Sequence, residues 1–246
     1  MDLPGKVALV TGGKRIGAVV ATELARAGAD LSLVYNRSQD EANETAAAAR
    51  ALGRRAFTVQ ADVTDANAVA RAVDLTMKEL GRVDVLVNMA SLYTKRIFLE
   101  YSVEDWDAQL AVDLRATFLF SRAVVPSMKK NGGGRIVNFS DWLAASGRPR
   151  YHEYMAYYVA KGGVKALTEA MALDLAADRI LVNAVAPGPI LAPPGLPGHE
   201  QAEVARNTPV GRWGGEMSIA KAVLFFVQHD FITGETIRVD GGRHLK

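Results

Sequence analysis

The sequence predicts one open, doubly wound α/β domain, with about seven parallel strands and helices on both faces. Three observations predict it. Short β-branched runs recur along the chain, and Ala- and Glu-rich stretches with helical period separate them. No break in composition marks a second domain within the 246 residues. Strands apolar on both faces need cover above and below, which only a sheet buried between helices supplies.

The elements follow in order. Residues 6–11 form the first strand, and a glycine-rich turn leads into a helix over 18–27. Strands at 30–35 and 55–60 flank a helix at 40–52, and a helix at 65–80 leads to the strand 83–87. One long helix is expected over 106–128, then a strand at 135–139. A helix over 155–176 precedes the last two strands, 180–184 and 235–239. The Pro/Gly stretch 187–198 reads as the only long irregular segment. Following the sixth strand, it belongs at the carboxyl edge of the sheet, where a lid over a ligand crevice sits.

Composition narrows the function classes. The chain has no cysteine, which excludes disulfides, thiolate chemistry and Cys-ligated metal. No metal site is expected. The formal net charge is only +2 and the basic residues are scattered, so nucleic acid is not an expected partner. No apolar run approaches the length of a membrane span, and the first residues lack a signal-peptide pattern, so no membrane partner is expected either. The expected compartment is the cytoplasm.

The first turn carries the strongest motif. Thr11-Gly-Gly-Lys-Arg-Ile-Gly17 follows the apolar run Val7-Ala-Leu-Val10. A glycine-rich turn between strand and helix presents free backbone amides to a phosphate. Gly12 permits the tight turn, and Gly17 lets backbone approach a dinucleotide, with Ile16 between turn and helix. At the end of the second strand, NAD-preferring sites place an acid on the ribose 2′-hydroxyl. Here Asn36 removes that charge. Arg37 and Ser38, with Lys14 and Arg15, offer charge-assisted bonds to a 2′-phosphate instead, so NADP(H) is the expected cofactor. Asp62, before Val63, either accepts from an adenine amino group or caps the following helix. Asn88 can tie neighbouring loops together, while backbone at Ala90 or Ser91 faces the cofactor.

The chemistry lies at Tyr157-Tyr-Val-Ala-Lys161. Four residues apart on a helix, Tyr157 and Lys161 share a face. A phenol with a pKa of about 10 exchanges protons poorly at neutral pH, and a nearby ammonium lowers that value. Tyr157 then protonates a substrate oxygen as hydride arrives at carbon. Lys161 can also hold the nicotinamide ribose. Tyr154 and Tyr158 are the alternative donors.

Together these pieces resemble the short-chain dehydrogenase/reductase family over essentially the whole chain. The matching residues are the 11–17 turn, Asp62-Val63, Asn88-Met-Ala-Ser91, Tyr157-x-x-x-Lys161, Asn183, Pro187-Gly188 and Asp240-Gly-Gly242. The resemblance implies a single Rossmann-type domain over residues 1–246 with a seven-stranded parallel sheet and NAD(P)-dependent redox chemistry. It also implies a homotetramer, with Pro187, Gly188 and Ile190 approaching the cofactor. Phe118, Phe120, Leu167 and Leu173, on the 106–128 and 155–176 helices, either serve subunit packing or belong to the ordinary core.

Departures from the family pattern point to the substrate. A serine usually follows the fifth strand; here Asp141 takes its place, with Ser140 before it. This Asp, together with Arg15, Ser91 and Asn36-Arg37-Ser38, looks like the pteridine reductases. On that comparison Asp141 assists proton delivery through Tyr157 or orients a nitrogen-containing ring. The 141–157 segment is about three residues longer than the family norm, which also leaves Ser140 and Ser146 as candidates for the missing hydroxyl. Met89 replaces an Asn, and Asp113 stands where an Asn helps position a water near the lysine. Trp142 and residues 148–154 either stack on a flat ring or pack the loop. The expected function is NADPH-dependent reduction of a small molecule at a carbonyl or conjugated C=N group. A 3-oxoacyl-thioester reductase, for which Arg148, Arg150 and Arg212 can dock an acidic carrier, and a pteridine reductase are the competing forms. A catalytically silent NADPH-binding module is the reading from another class.

Overall fold

A computed structural model describes residues 1–246. Seven strands form one parallel sheet: β1 (Val7–Thr11), β2 (Asp30–Tyr35), β3 (Ala56–Gln60), β4 (Val85–Asn88), β5 (Gly134–Phe139), β6 (Ile180–Pro187) and β7 (Thr236–Val239). Their order is β3-β2-β1-β4-β5-β6-β7. The direction of winding reverses between β1 and β4, and a crevice opens there at the carboxyl ends of the strands.

Side chains alternate between two apolar layers, because successive strand residues point to opposite faces. Ala8, Val10, Leu31, Leu33, Val85, Val87, Val137 and Val185 pack against α1 (Ile16–Arg26), α2 (Gln39–Ala51) and α9 (Glu216–Gln228). Leu9, Val34, Leu86, Ile136 and Val182 face the other way. They meet α3 (Ala66–Leu80), α5 (Ala116–Lys130) and α7 (Met155–Leu175). Each fully buried large apolar side chain here contributes about 2 kcal/mol.

Local signals set the helix ends. Asp65 caps α3 by accepting from Asn67 N–H, and Gly81 closes it in the left-handed region. Ser102 caps α4 (Val103–Leu110) through Asp105 N–H. Asp141 caps the short α6 (Trp142–Ser146) through Leu143 N–H.

Several expectations need correction. The single helix over 106–128 begins earlier, at Val103, and is interrupted by a π turn, Ala111–Arg115, between α4 and α5. β6 runs on to Pro187 because its last residues still pair with β7. The 187–198 stretch is not the only long irregular segment. Between β4 and α4 the chain makes only one 3-10 turn, Phe98–Glu100. The 187–198 stretch does leave β6 at the carboxyl edge and leads into α8 (Gly198–Arg206). Phe120 is core, whereas Phe118 is 43% and Leu173 82% exposed. Leu167 is half-buried, and Phe118 and Leu173 present apolar surface to solvent. No helix is long and apolar enough to cross a membrane.

Candidate active site

The glycine turn and the β4 exit meet at the switch point. Thr11 Oγ1 accepts from Met89 N–H at 3.0 Å and Ala90 N–H at 3.2 Å, which fixes one loop on the other. Gly12 has φ +75°, and a Cβ there would lie 2.9 Å from Ala90 N; one on Gly17 would lie 2.1 Å from the Gly12 carbonyl oxygen. The two glycines therefore keep a backbone cradle open at the start of α1.

A cleft of about 650 Å³ runs from this cradle along the ends of β2 and β3. Gly12, Lys14, Asn36, Arg37, Ser38, Asp62, Val63 and Ala90 all line it. The shape and donor set fit the adenosine half of a dinucleotide: glycine backbone at the pyrophosphate position, and no acid at Asn36, where a ribose hydroxyl would need one. Lys14 pairs with Glu41, a carboxylate on the same cleft wall that no sequence motif marks. The Lys14 ammonium holds the Glu41 carboxyl below its usual range, mainly through their hydrogen bond.

Arg15 and Asn88 each make a protein contact beside the cleft, although Arg15 still borders the glycine cradle with Gly12, Ile16 and Gly17. Arg15 does not join Arg37. Its backbone has φ +53°, and its guanidinium donates to Ala192 O at 3.2 Å, so it ties the turn to the 187–198 stretch. Asn88 does not line the cleft. It is buried between strands, where its amide donates to Asn138 Oδ1 at 2.9 Å. The two roles weighed for Asp62 also separate. Asp65 caps the helix, while Asp62 accepts from Thr64 N–H and Oγ1–H and stays at the cleft wall, its carboxyl held below the usual range by those bonds.

The second half of the crevice, about 410 Å³, is lined by Ile16, Ser91, Asp141, Tyr157, Lys161, Pro187, Gly188 and Ile190. Of Ser140, Asp141 and Ser146, the three candidates for the serine position, neither serine is bonded to Tyr157. Ser140 is buried and donates to Lys161 O at 2.9 Å, and Ser146 donates to Trp142 O at 2.6 Å. Asp141 is bonded to it. Its Oδ1 accepts from Leu143 N–H at 2.8 Å and its Oδ2 accepts from the Tyr157 hydroxyl at 3.2 Å. The helix cap thus fixes the rotamer that presents the second oxygen to the phenol. Burial raises the Asp141 carboxyl above the ordinary range, against the bonds from Leu143 and Tyr157. Burial likewise drives the Tyr157 phenol well above its ordinary value, and the Asp141 charge adds to the shift.

Lys161 lies below Tyr157. Its Nζ donates to Phe139 O at 3.0 Å and sits 2.9 Å from Asp113 Oδ1, with both side chains sealed from solvent. The same nitrogen is 5.6 Å from the Tyr157 ring centroid. The pocket walls are aromatic. Tyr93 stacks on Tyr154 with centroids 4.4 Å apart and meets Tyr157 edge-on at 4.8 Å, which leaves Tyr154 committed to the wall. Trp142 and Tyr151 line the same cavity, with Arg150 over the Trp142 ring. Tyr93 and Trp213 were not singled out by sequence. Their loops carry no local motif, and only the fold brings them to the crevice.

Comparison with known proteins agrees with this layout. The profile of the family described as enoyl-(acyl carrier protein) reductase matches residues 12–244. The short-chain reductase protein NovJ of Streptomyces niveus is 38% identical over 249 residues, covering 96% of this chain and 93% of its own. The 3-oxoacyl-[acyl-carrier-protein] reductase FabG of Staphylococcus aureus is 33% identical over 245 residues, covering 98% of each. A blue fluorescent protein from a metagenomic library, solved in complex with NADPH, superposes with a TM-score of 0.91 at 34% identity, over 99% of each chain. With the switch-point crevice, the glycine cradle and the Tyr157–Lys161 pair, these likenesses make the chain an enzyme of the short-chain dehydrogenase/reductase family.

Proposed function

We propose that the protein is an NADPH-dependent reductase acting on a carbonyl or conjugated C=N group, with Tyr157 as the proton donor. One observation carries this reading: the Tyr157 hydroxyl is held on Asp141 inside the crevice, next to the dinucleotide cradle. When bound, the cofactor supplies the hydride. Gly12, Ile16 and Gly17 would hold its pyrophosphate and Arg37 and Ser38 its 2′-phosphate. Asp62, Val63 and Ala90 would bound the adenosine; Pro187, Gly188 and Ile190 would wall the nicotinamide side. Tyr157 releases its proton to the substrate oxygen or nitrogen, and Lys161 anchors the helix face that carries the phenol. The solved neighbour in complex with NADPH supports the cofactor choice.

A 3-oxoacyl thioester is the leading substrate class, because relatives carrying that description span nearly the whole chain. Arg148, Arg150 and Arg212 are exposed and form no ion pair, which suits an acidic carrier. A pteridine-like ring is the second reading. Asp141 in the serine position favours it, since a carboxylate pairs with an amino-pyrimidine edge, as do the Tyr93, Trp142 and Tyr151 walls. The subunits are proposed to assemble as a homotetramer through faces that include Phe118 and Leu173, and light scattering tests this by mass.

The deciding experiment follows NADPH consumption with 3-oxoacyl thioesters, simple ketones and pterins. Turnover in one class identifies the substrate. Asp141→Ser should then improve simple ketones and weaken a pterin. Tight NADPH binding without consumption across the panel would favour the silent module.

A further inference from the structure

The reaction outlined above gives Lys161 a role but leaves its buried partner, Asp113, unused. Asp113 sits at the centre of the π turn Ala111–Arg115. Such turns insert an extra residue into a helix and re-aim the side chains around it. Here the carboxylate points at α7. Its Oδ1 accepts from Ser91 Oγ–H and faces Lys161 Nζ at 2.9 Å. Its Oδ2 accepts from Leu92 N–H at 3.1 Å and from the Gln109 amide. Four donors therefore fill the four acceptor positions of a carboxylate.

Lys161 is equally constrained. One ammonium hydrogen goes to Phe139 O and a second to Asp113. The ordinary way for a lysine to favour a nearby phenolate is through its unbalanced positive charge. Around Tyr157 that charge is balanced. The titratable groups facing the phenol are Asp141 after β5, Asp113 on the π turn, Tyr93 after β4 and Lys161 on its own helix. Two carboxylates thus stand against one ammonium.

We propose that Asp113 is a positioning residue that absorbs the charge of Lys161, so that Tyr157 is held as the neutral phenol and remains a proton donor into alkaline solution. This rests on the reductase reading for its purpose but not for its test. In this site Lys161 serves as an anchor for the donor helix, and the supply of protons to a substrate is insulated from the pH of the medium. A site meant to start from the phenolate would need that charge left free.

The test is a tyrosinate absorbance titration of the cofactor-free protein. Each form is compared with the same form carrying Tyr157→Phe, so that the difference isolates this phenol. The unmodified protein should show no Tyr157 step up to the ordinary value of about 10. Asp113→Asn should bring the step down by about one to three pH units, the effect of an unmatched opposite charge nearby. In the loaded enzyme, the pH at which reduction begins to fall should drop by the same amount. A Tyr157 step at or below the ordinary value in the unmodified protein overturns the proposal, whether or not the variant folds. So does a folded Asp113→Asn protein in which the step does not move. Absence of any NADPH turnover would count against the reductase reading alone, because the titration uses neither cofactor nor substrate.

Discussion

The Tyr157 hydroxyl donates to Asp141 Oδ2 at 3.2 Å, and the other oxygen of that carboxylate caps the helix that begins at Trp142. A structural contact and a chemical one share a single side chain, so the phenol is oriented before any substrate enters. Tyr157→Phe removes the transferable proton and keeps the ring that packs edge-on to Tyr93. Turnover should fall by about a hundredfold or more. NADPH affinity, read by fluorescence, should change little. Full activity on a productive substrate would shift the donor role to Tyr154 or Tyr158.

Arg37 lines the cleft at the ends of β2 and β3 and forms no ion pair, whereas Lys14 beside it is matched by Glu41. Arg37 is therefore the cation most available to a 2′-phosphate. NADPH should bind at least about tenfold more tightly than NADH, or roughly 1.4 kcal/mol. Arg37→Asp should erase or invert that preference without unfolding the protein. Calorimetric titration of both cofactors measures the ratio, and equal dissociation constants in the unmodified protein would remove the assignment.

Gly17 allows no side chain. A Cβ would lie 2.1 Å from the Gly12 carbonyl oxygen, a backbone atom that cannot swing aside. Gly17→Ala should cost about 1–3 kcal/mol of stability, as overpacking does, and weaken NADPH binding as the cradle is pushed out of shape. Melting temperature and cofactor affinity should fall together. At the neighbouring Gly13 no atom lies within 4 Å of the place a Cβ would take, so Gly13→Ala should cost much less stability.

What was legible in the sequence tracks how local each signal is. The seven strands and the Gly12–Gly17 turn are written in short runs of residues, and the fold repeats them within a few positions. Tyr157 and Lys161 share a face because a helix obliges residues four apart to do so. Signals that depend on a three-dimensional partner were not legible. Glu41 on α2 neutralises Lys14 in the first turn, and Ala192 draws Arg15 away from Arg37. Asn88 turns inward because Asn138, fifty residues on, offers it a carbonyl between strands. The π turn has no sequence mark except Asp113 itself, whose partner Lys161 is 48 residues away on α7.

Asp141 also ties stability to pH. Burial raises its carboxyl in the folded protein above the value of about 3.9 that an unfolded chain gives it. The folded state therefore binds a proton that the unfolded state has released, throughout the interval between the two values. This contribution is fully present below the unfolded value and is lost as pH rises through the folded one. Asp141→Asn keeps an oxygen to cap Leu143 N–H but cannot ionise. Melting temperatures of both proteins, measured across the acidic to neutral range, isolate the effect, because the other carboxylates cancel in the comparison. The unmodified protein should lose ground to the variant as pH rises from about 4. A difference that stays constant, or that moves in the unmodified protein's favour, would mean that Asp141 is ionised in the fold at no cost.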